Sequence, residues 1–199
     1  MDQIRDLSVA LVRYEKTSQI LDHWLELLDA EGAGTVPPFD PIAVPALLPF
    51  LYLLQREDDR LKYRVSGEEV NRLFEQNHTG RYLDEVVPGE VYGHVAPFFL
   101  RIFDPSVCIF RGQVVLPDRE FMEFERVLLP VMRKGEIQLL GTLALSTTSP
   151  LRTDVEPAQA PGPGFHFTLI DLKSGAIERT HKNLAPLAQR YKAVNGLRG

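Results

Sequence analysis

Five histidines, one cysteine and two closely spaced glutamates are the residues of this 199-residue chain whose types suggest chemistry. His23, His78, His94, His166 and His181 show no pair at the spacing of a metal motif. With Cys108 as the lone cysteine, neither a cysteine-rich zinc site nor an intrachain disulfide is expected, which fits a reducing compartment. Cys108 falls on the apolar side of its strand, where a thiol serves as a small hydrophobe. Glu123 and Glu125 stand two apart on a strand and so share a face. Paired carboxylates can do acid–base work, but a solvated sheet face is the simpler reading. Ser146-Thr147-Thr148-Ser149 lacks a Gly-x-Ser-x-Gly context. No glycine-rich phosphate loop and no kinase or cyclase signature is present. Nothing sets a nucleophile beside a base, so no catalytic residue is assigned and no enzyme is expected.

Composition narrows the partners. The net charge is -5 and the pI near 5.6, poor material for neutralising phosphates, so nucleic acid is not an expected partner. The longest apolar stretch, Ala43–Leu54, carries Pro45 and Pro49 and is well short of the roughly 20 residues that span a bilayer. No basic segment followed by an apolar one marks a signal peptide. The expectation is a soluble, cytoplasmic protein.

Hydrophobic periodicity supplies the elements that must hold any site. Thr17–Ala30 is an amphipathic helix with Ile20, Trp24, Leu27 and Leu28 on one face, stopped by Gly32 and Gly34. It either caps its own sheet or forms a dimer interface through Trp24 and Leu28. Thr35–Pro49 is a proline-punctuated connector in which Asp40 caps a turn starting at Pro41. Leu51–Arg56 and Leu61–Glu68 read as strands around the turn Glu57–Arg60. Glu68–Gln76 and Glu90–Phe103 read as helices, the second kinked or restarted at Pro97. Val107–Leu116, Glu120–Val131 and Glu136–Ser146 read as three further strands. Alternation slips in the middle one, where a bulge near 125–126 would restore it. Residues 147–164 read as a flexible linker. Phe165–Thr180 is a hairpin turning at Ser174-Gly175, and Leu184–Val194 a last helix.

Residues 1–34 are thus a helical flank, 35–146 a core, 147–164 a linker and 165–199 a hairpin-and-helix extension. Within the core, Tyr63, Phe74, Phe98, Phe99, Phe110, Met122, Phe124 and Leu139 point between sheet and helices. They either fill that space or enclose an apolar pocket, with Tyr63, Cys108 and Arg126 as its few polar contacts.

One set of motifs carries a family likeness. Phe39-Asp40-Pro41, Leu47-Leu48-Pro49, Tyr63-Arg64-Val65 with Gly67, and Thr79-Gly80-Arg81-Tyr82-Leu83-Asp84 occur in this order over residues 24–90. In order and spacing they resemble the PAS-like domain family of alphaproteobacteria. The resemblance implies an α+β fold: a five-stranded antiparallel sheet with helices on one face, enclosing a pocket. It implies a sensory or regulatory role and no catalytic residue. It also puts His94 near the position where haem-binding PAS sensors carry an axial histidine; an ordinary surface histidine is the simpler reading. The flavin-adduct motif Gly-x-Asn-Cys-Arg is absent. The physical readings of the motif residues are structural: Gly67 and Gly80 for backbone freedom, Asp40 and Pro41 for entry to the sheet, Arg81 for a carboxylate such as Asp84.

The functional expectation is therefore a stand-alone PAS-like sensor, taking an unknown small molecule or a signalling protein partner, with a homodimer expected. Its signal would pass by protein contact, with Lys62, Arg64, Arg111, Gln113 and Gln138 as the docking face of the sheet. The alternatives are an enzyme or carrier using the same pocket, which needs a titratable group of shifted pKa inside it, and a structural interaction module without ligand.

Overall fold

A computed structural model of the chain describes residues 5–6, 10–32, 34–87, 89–113, 123–145 and 164–183. Met122, the Pro117-Asp118 turn, residues 147–163 of the linker and the expected last helix lie outside the described residues, while Gly164, expected in the linker, opens a strand. The elements are α1 (Glu15–Glu31), two 3-10 turns (Pro41–Ala43 and Pro45–Phe50), β1 (Leu51–Glu57), β2 (Arg60–Ser66), α2 (Glu68–Phe74), α3 (Leu83–Val86) and α4 (Gly89–Arg101), then β3 (Ser106–Gln113), β4 (Glu123–Arg133), β5 (Glu136–Thr142), β6 (Ala144–Leu145), β7 (Gly164–Asp171) and β8 (Ile177–Asn183). Helix α4 runs through Pro97 without restarting.

The strands form one antiparallel sheet in the order β2-β1-β5-β4-β3-β7-β8, with β6 pairing β4. The expected α+β class holds, but the five-strand count does not. The C-terminal hairpin joins the sheet of its own chain: β7 pairs with β3 from Ser106↔Asp171 to Gly112↔Phe165. Phe165, Phe167 and Leu169 cover one face of the sheet there and Ile170 the other, so adding the hairpin buries apolar surface on both sides of an edge that would otherwise be open.

Helices also lie on both faces, not on one. Every residue of β4 from Phe124 to Val131 is buried, and a strand apolar on both faces has to be covered twice. Even-numbered residues such as Tyr52, Cys108, Phe110, Phe124 and Leu128 pack under α2–α4. Odd-numbered ones such as Leu53, Ile109, Val127 and Leu129 pack with α1. Trp24 and Leu28 belong to this second core, 0% and 1% exposed. They are buried within their own chain and leave no surface for a second copy. Trp24 donates its indole Nε1–H to the Pro130 carbonyl at 2.8 Å. Pro130 lies beyond the last β3–β4 pair, Cys108↔Leu128, so its missing N–H breaks no ladder bond on that side. Two residues on, Met132 N–H donates to the Pro37 carbonyl at 2.8 Å, tying the proline-rich connector to the sheet. Asp40 caps the turn as expected, accepting from Ile42 N–H at 3.0 Å.

The expected bulge in β4 is absent. The β3–β4 register runs unbroken from Cys108↔Leu128 to Gln113↔Glu123. Alternation is therefore regular, and its apparent slip has another cause. Two charged residues, Glu125 and Arg126, are themselves buried on opposite faces.

Of the two motif glycines, Gly80 has the left-handed φ of +85° that favours glycine. Gly67 is needed for a different reason than expected. Its φ is an ordinary −66°, but a Cβ there would collide with the carbonyl oxygens of Leu48 and Pro49. Gly67 N–H also donates to the Leu51 carbonyl at 2.8 Å. Because the obstacle is backbone, Gly67→Ala is expected to lower stability by about 1–3 kcal/mol, measured by urea unfolding. Gly80→Ala should cost about 1 kcal/mol.

Candidate functional site

The helix-facing core has two chemically different ends. One is a filled aromatic stack. Phe98 lies flat on Phe167, with ring centroids 3.8 Å apart, and Phe167 lies on Phe110 at 4.3 Å. Phe124 and Phe165 meet Phe110 edge-on at 4.9 and 5.0 Å, and Phe99 does so at 6.4 Å. Four of the expected pocket residues, Phe98, Phe99, Phe110 and Phe124, thus pack mainly on one another and on β7, an arrangement that fills space.

The other end is polar, and Arg126 is its centre. β4 alternation drives this side chain into the core, where it is 9% exposed. Its guanidinium lies 5.5 Å from the ring centroids of Tyr52 and Phe124 and 5.7 Å from that of Phe74. Nη1 donates to the Tyr52 hydroxyl at 3.4 Å, a long contact. The Nε–H is buried without a partner. Among the described residues no carboxylate pairs with Arg126, whereas half-buried Lys62 pairs with Glu57 and Arg111 with Glu125.

His78 completes the cluster. It is fully buried, its ring 5.2 Å from those of both Tyr63 and Phe74, and neither ring nitrogen has a hydrogen-bond partner. The turn that carries it is fixed by Asn71, whose Oδ1 accepts from His78 N–H at 3.2 Å, and by Gly80 N–H donating to the Tyr63 carbonyl at 2.8 Å. Burial, then the Arg126 and Arg81 charges, push the His78 pKa down to about 4, so its imidazole is neutral at pH 7. Burial raises the Tyr52 and Tyr63 hydroxyls, opposed by the nearby Arg126 charge. Burial alone raises the Cys108 thiol. Arg126 is thereby a buried charge among neutral donors and acceptors, in an environment of low dielectric.

The depressed histidine has a pH signature. Above the ordinary histidine value of 6.5 the neutral ring is accommodated in both folded and unfolded chains. As pH falls from 6.5 towards about 4 the unfolded chain binds a proton that the folded one resists, so stability drops across that window. Urea unfolding at pH 7 and 4.5 should show this loss, and His78→Gln should flatten it.

Sequence reasoning placed Tyr63, Phe74, Cys108, Arg126 and Leu139 on this face, and the structure buries or half-buries all five there. It missed Tyr52 and His78. Tyr52 shares parity with Leu54 on β1, a signal that was available. His78 looked like a turn residue, and its inward direction depends on Asn71. Gly141 makes room for the Tyr52 ring, since a Cβ there would meet it directly. His94 lies half-buried on α4, off the face formed by Val91, Val95, Phe98 and Phe99. That face is packed on the aromatic stack, so the residues present do not fit haem.

The other chemical candidates resolve structurally. Glu125, read as solvated, is 0% exposed. It accepts from Arg13 N–H at 3.1 Å, Tyr14 N–H at 3.2 Å and Arg111 Nε at 2.7 Å, and from the Thr17 hydroxyl. It is a clasp on the start of α1. Arg81 pairs with Gln76 and the Glu85 carbonyl, while Asp84 is held by Arg60 in a two-pronged contact at 2.8 and 2.9 Å. His166 and His181, distant in sequence, are cross-strand neighbours with rings stacked 4.3 Å apart. Among the described residues no three metal-ligating side chains gather. The expected docking face is not a continuous open surface. Gln138 is buried, Arg111 is held by Glu125, and Lys62 and Arg64 both pair with Glu57; Gln113 lies at the limit of the described residues.

Among the described residues no helix is long and apolar enough to cross a membrane. No family model, no curated protein and no solved structure matches the chain.

Proposed function

We propose that the chain is a PAS-like sensory or regulatory module that takes a small molecule at the polar end of its helix-facing core. The reading rests on one observation above all. Arg126 is a buried cation with an unpartnered Nε–H, beside a fully buried His78 with two unpartnered nitrogens. Unpaired buried polar groups cost folding free energy, and each calls for an explanation, of which a bound water, ion or ligand is one. The element order supports the PAS-like assignment: two strands, three helices, then three strands over residues 51–142.

A route for the signal is also present. Arg126 and Glu125 are successive residues of β4 on opposite faces, and Glu125 holds the start of α1. A ligand that repositions Arg126 would bias how β4 presents Glu125, and with it the docking of α1. The output is then a protein contact, with a partner or a second copy, made at the surface that α1 and its N-terminal segment control.

A carrier or enzyme using the same site is the second reading. His78 favours it, because a neutral buried imidazole next to a cation is the shifted titratable group such a site needs. The two readings separate by turnover: a sensor binds and releases its ligand unchanged.

Native mass spectrometry of the purified protein, set against the denatured mass, tests the proposal. A retained small-molecule mass that disappears in Arg126→Met supports it. A retained mass unaffected by that substitution places the ligand elsewhere and overturns the site.

A further inference from the structure

The chemistry of the polar end limits what can complete it. Its single formal charge is the Arg126 guanidinium, 9% exposed and without a carboxylate among the described residues. Around it stand two phenols, Tyr52 and Tyr63, and an imidazole with neither nitrogen engaged, His78. The walls are apolar: Phe74 and Phe124 at 5.7 and 5.5 Å from the guanidinium, and Cys108, fully buried. A cationic ligand would face an uncompensated like charge in a low-dielectric interior. A neutral ligand would leave the guanidinium unpaired. A multiply charged anion such as a phosphate would bring more charge than one guanidinium balances; Arg81, the other cation whose charge reaches His78, is already engaged by Gln76 and the Glu85 carbonyl.

From this we infer that the site takes a monocarboxylate with an apolar or aromatic body, the carboxylate paired with Arg126 and the body against Phe74 and Tyr63. The inference rests on the ligand-site reading above and gives that ligand its class. A planar carboxylate offers two acceptor oxygens to a fork of guanidinium N–H groups, of which Nε–H is free. The phenols add hydroxyl donors, and the His78 ring can donate from whichever nitrogen carries its proton. Tyr52 and Tyr63 lie 5.8 Å apart between ring centroids, on the same side of the sheet as the guanidinium.

Matched probe pairs separate charge from shape. Titration calorimetry of the full chain should compare hexanoate with 1-hexanol, and benzoate with benzyl alcohol, with inorganic phosphate as an anion lacking an apolar body. The expected result is that at least one acid binds about 10- to 100-fold more tightly than its alcohol, the range of a charge-assisted hydrogen bond. Phosphate should bind more weakly than that acid. Arg126→Met should abolish the preference for the acid, and Arg126→Lys should retain part of it. Equal binding of acid and alcohol in the wild-type protein overturns the carboxylate class while leaving a ligand site in place. So does a preference that survives Arg126→Met. Absence of binding by all five probes, together with no retained mass in the native spectrum, overturns the site as well. The wild-type comparison needs no variant, so a misfolded Arg126→Met would leave the test intact.

Discussion

Replacing Glu125 with alanine should remove about 3–5 kcal/mol of stability, the typical cost of breaking a buried ion pair from one side. The alternation of β4 forces this carboxylate under α1, where it is 0% exposed. It is tolerated there only because four groups donate to it: two backbone N–H groups, the Thr17 hydroxyl and Arg111. Alanine would strand the two backbone N–H groups, the Thr17 hydroxyl would keep only the Tyr14 carbonyl, and Arg111, itself 19% exposed, would keep its charge with its partner gone. A domain of ordinary stability has about 5–15 kcal/mol in total, so the loss is a large fraction. The damage should begin locally. Trp24, the only tryptophan, is fully buried on the same helix. Its emission should therefore shift to the red at denaturant concentrations where the far-ultraviolet signal of the sheet is still native. Glu125→Gln, which keeps the shape and one acceptor oxygen, should cost about 1–3 kcal/mol. A loss below 1 kcal/mol for the alanine variant would show that α1 is held by its apolar face alone.

The same residue shows where the sequence stopped being legible. Strand positions and helix faces follow from periodicity, and Tyr63, Phe110, Phe124 and Leu139 were placed on the correct side by it. The rule that charge means solvent then misread β4. Glu125 and Arg126 broke an otherwise apolar run, and a bulge was the economical repair. The partners that make burial tolerable, Arg13, Tyr14, Thr17 and Arg111, come from segments more than ten residues away, and alternation within one strand carries no information about them. The C-terminal hairpin was legible as a hairpin but not as part of the sheet. Phe165, Phe167 and Leu169 are apolar alternates whatever sheet they join, and only the open edge of β3 decides which. His78 lay beyond reach for a similar reason. Its burial is set by the Asn71 side chain and the Gly80 turn, two contacts that local composition does not announce.

Arg126→Met should behave in the opposite sense to Glu125→Ala: stability should hold or rise, by about 1–2 kcal/mol. A desolvated cation costs several kcal/mol. Against this stand the π-faces of Tyr52, Phe74 and Phe124, each contributing about 0.5–2 kcal/mol, and one long hydrogen bond to Tyr52. Methionine fills much of the same volume, adapts to irregular gaps and brings no buried charge or unpaired N–H of its own, at the loss of the long bond to the Tyr52 hydroxyl. Phe124→Ala, next but one on the same face, should instead lose about 3–5 kcal/mol, so the pair calibrates the measurement. Removing the guanidinium should also raise the His78 pKa from about 4, because the Arg126 charge is one of the causes holding it down; burial, the larger cause, remains. A histidine titration followed by NMR reads that shift directly. If Arg126→Met lost more than 2 kcal/mol, the guanidinium would be a structural brace and the ligand reading would fail. A variant that gains stability while losing its ligand would identify Arg126 as a residue kept for binding at the expense of the fold.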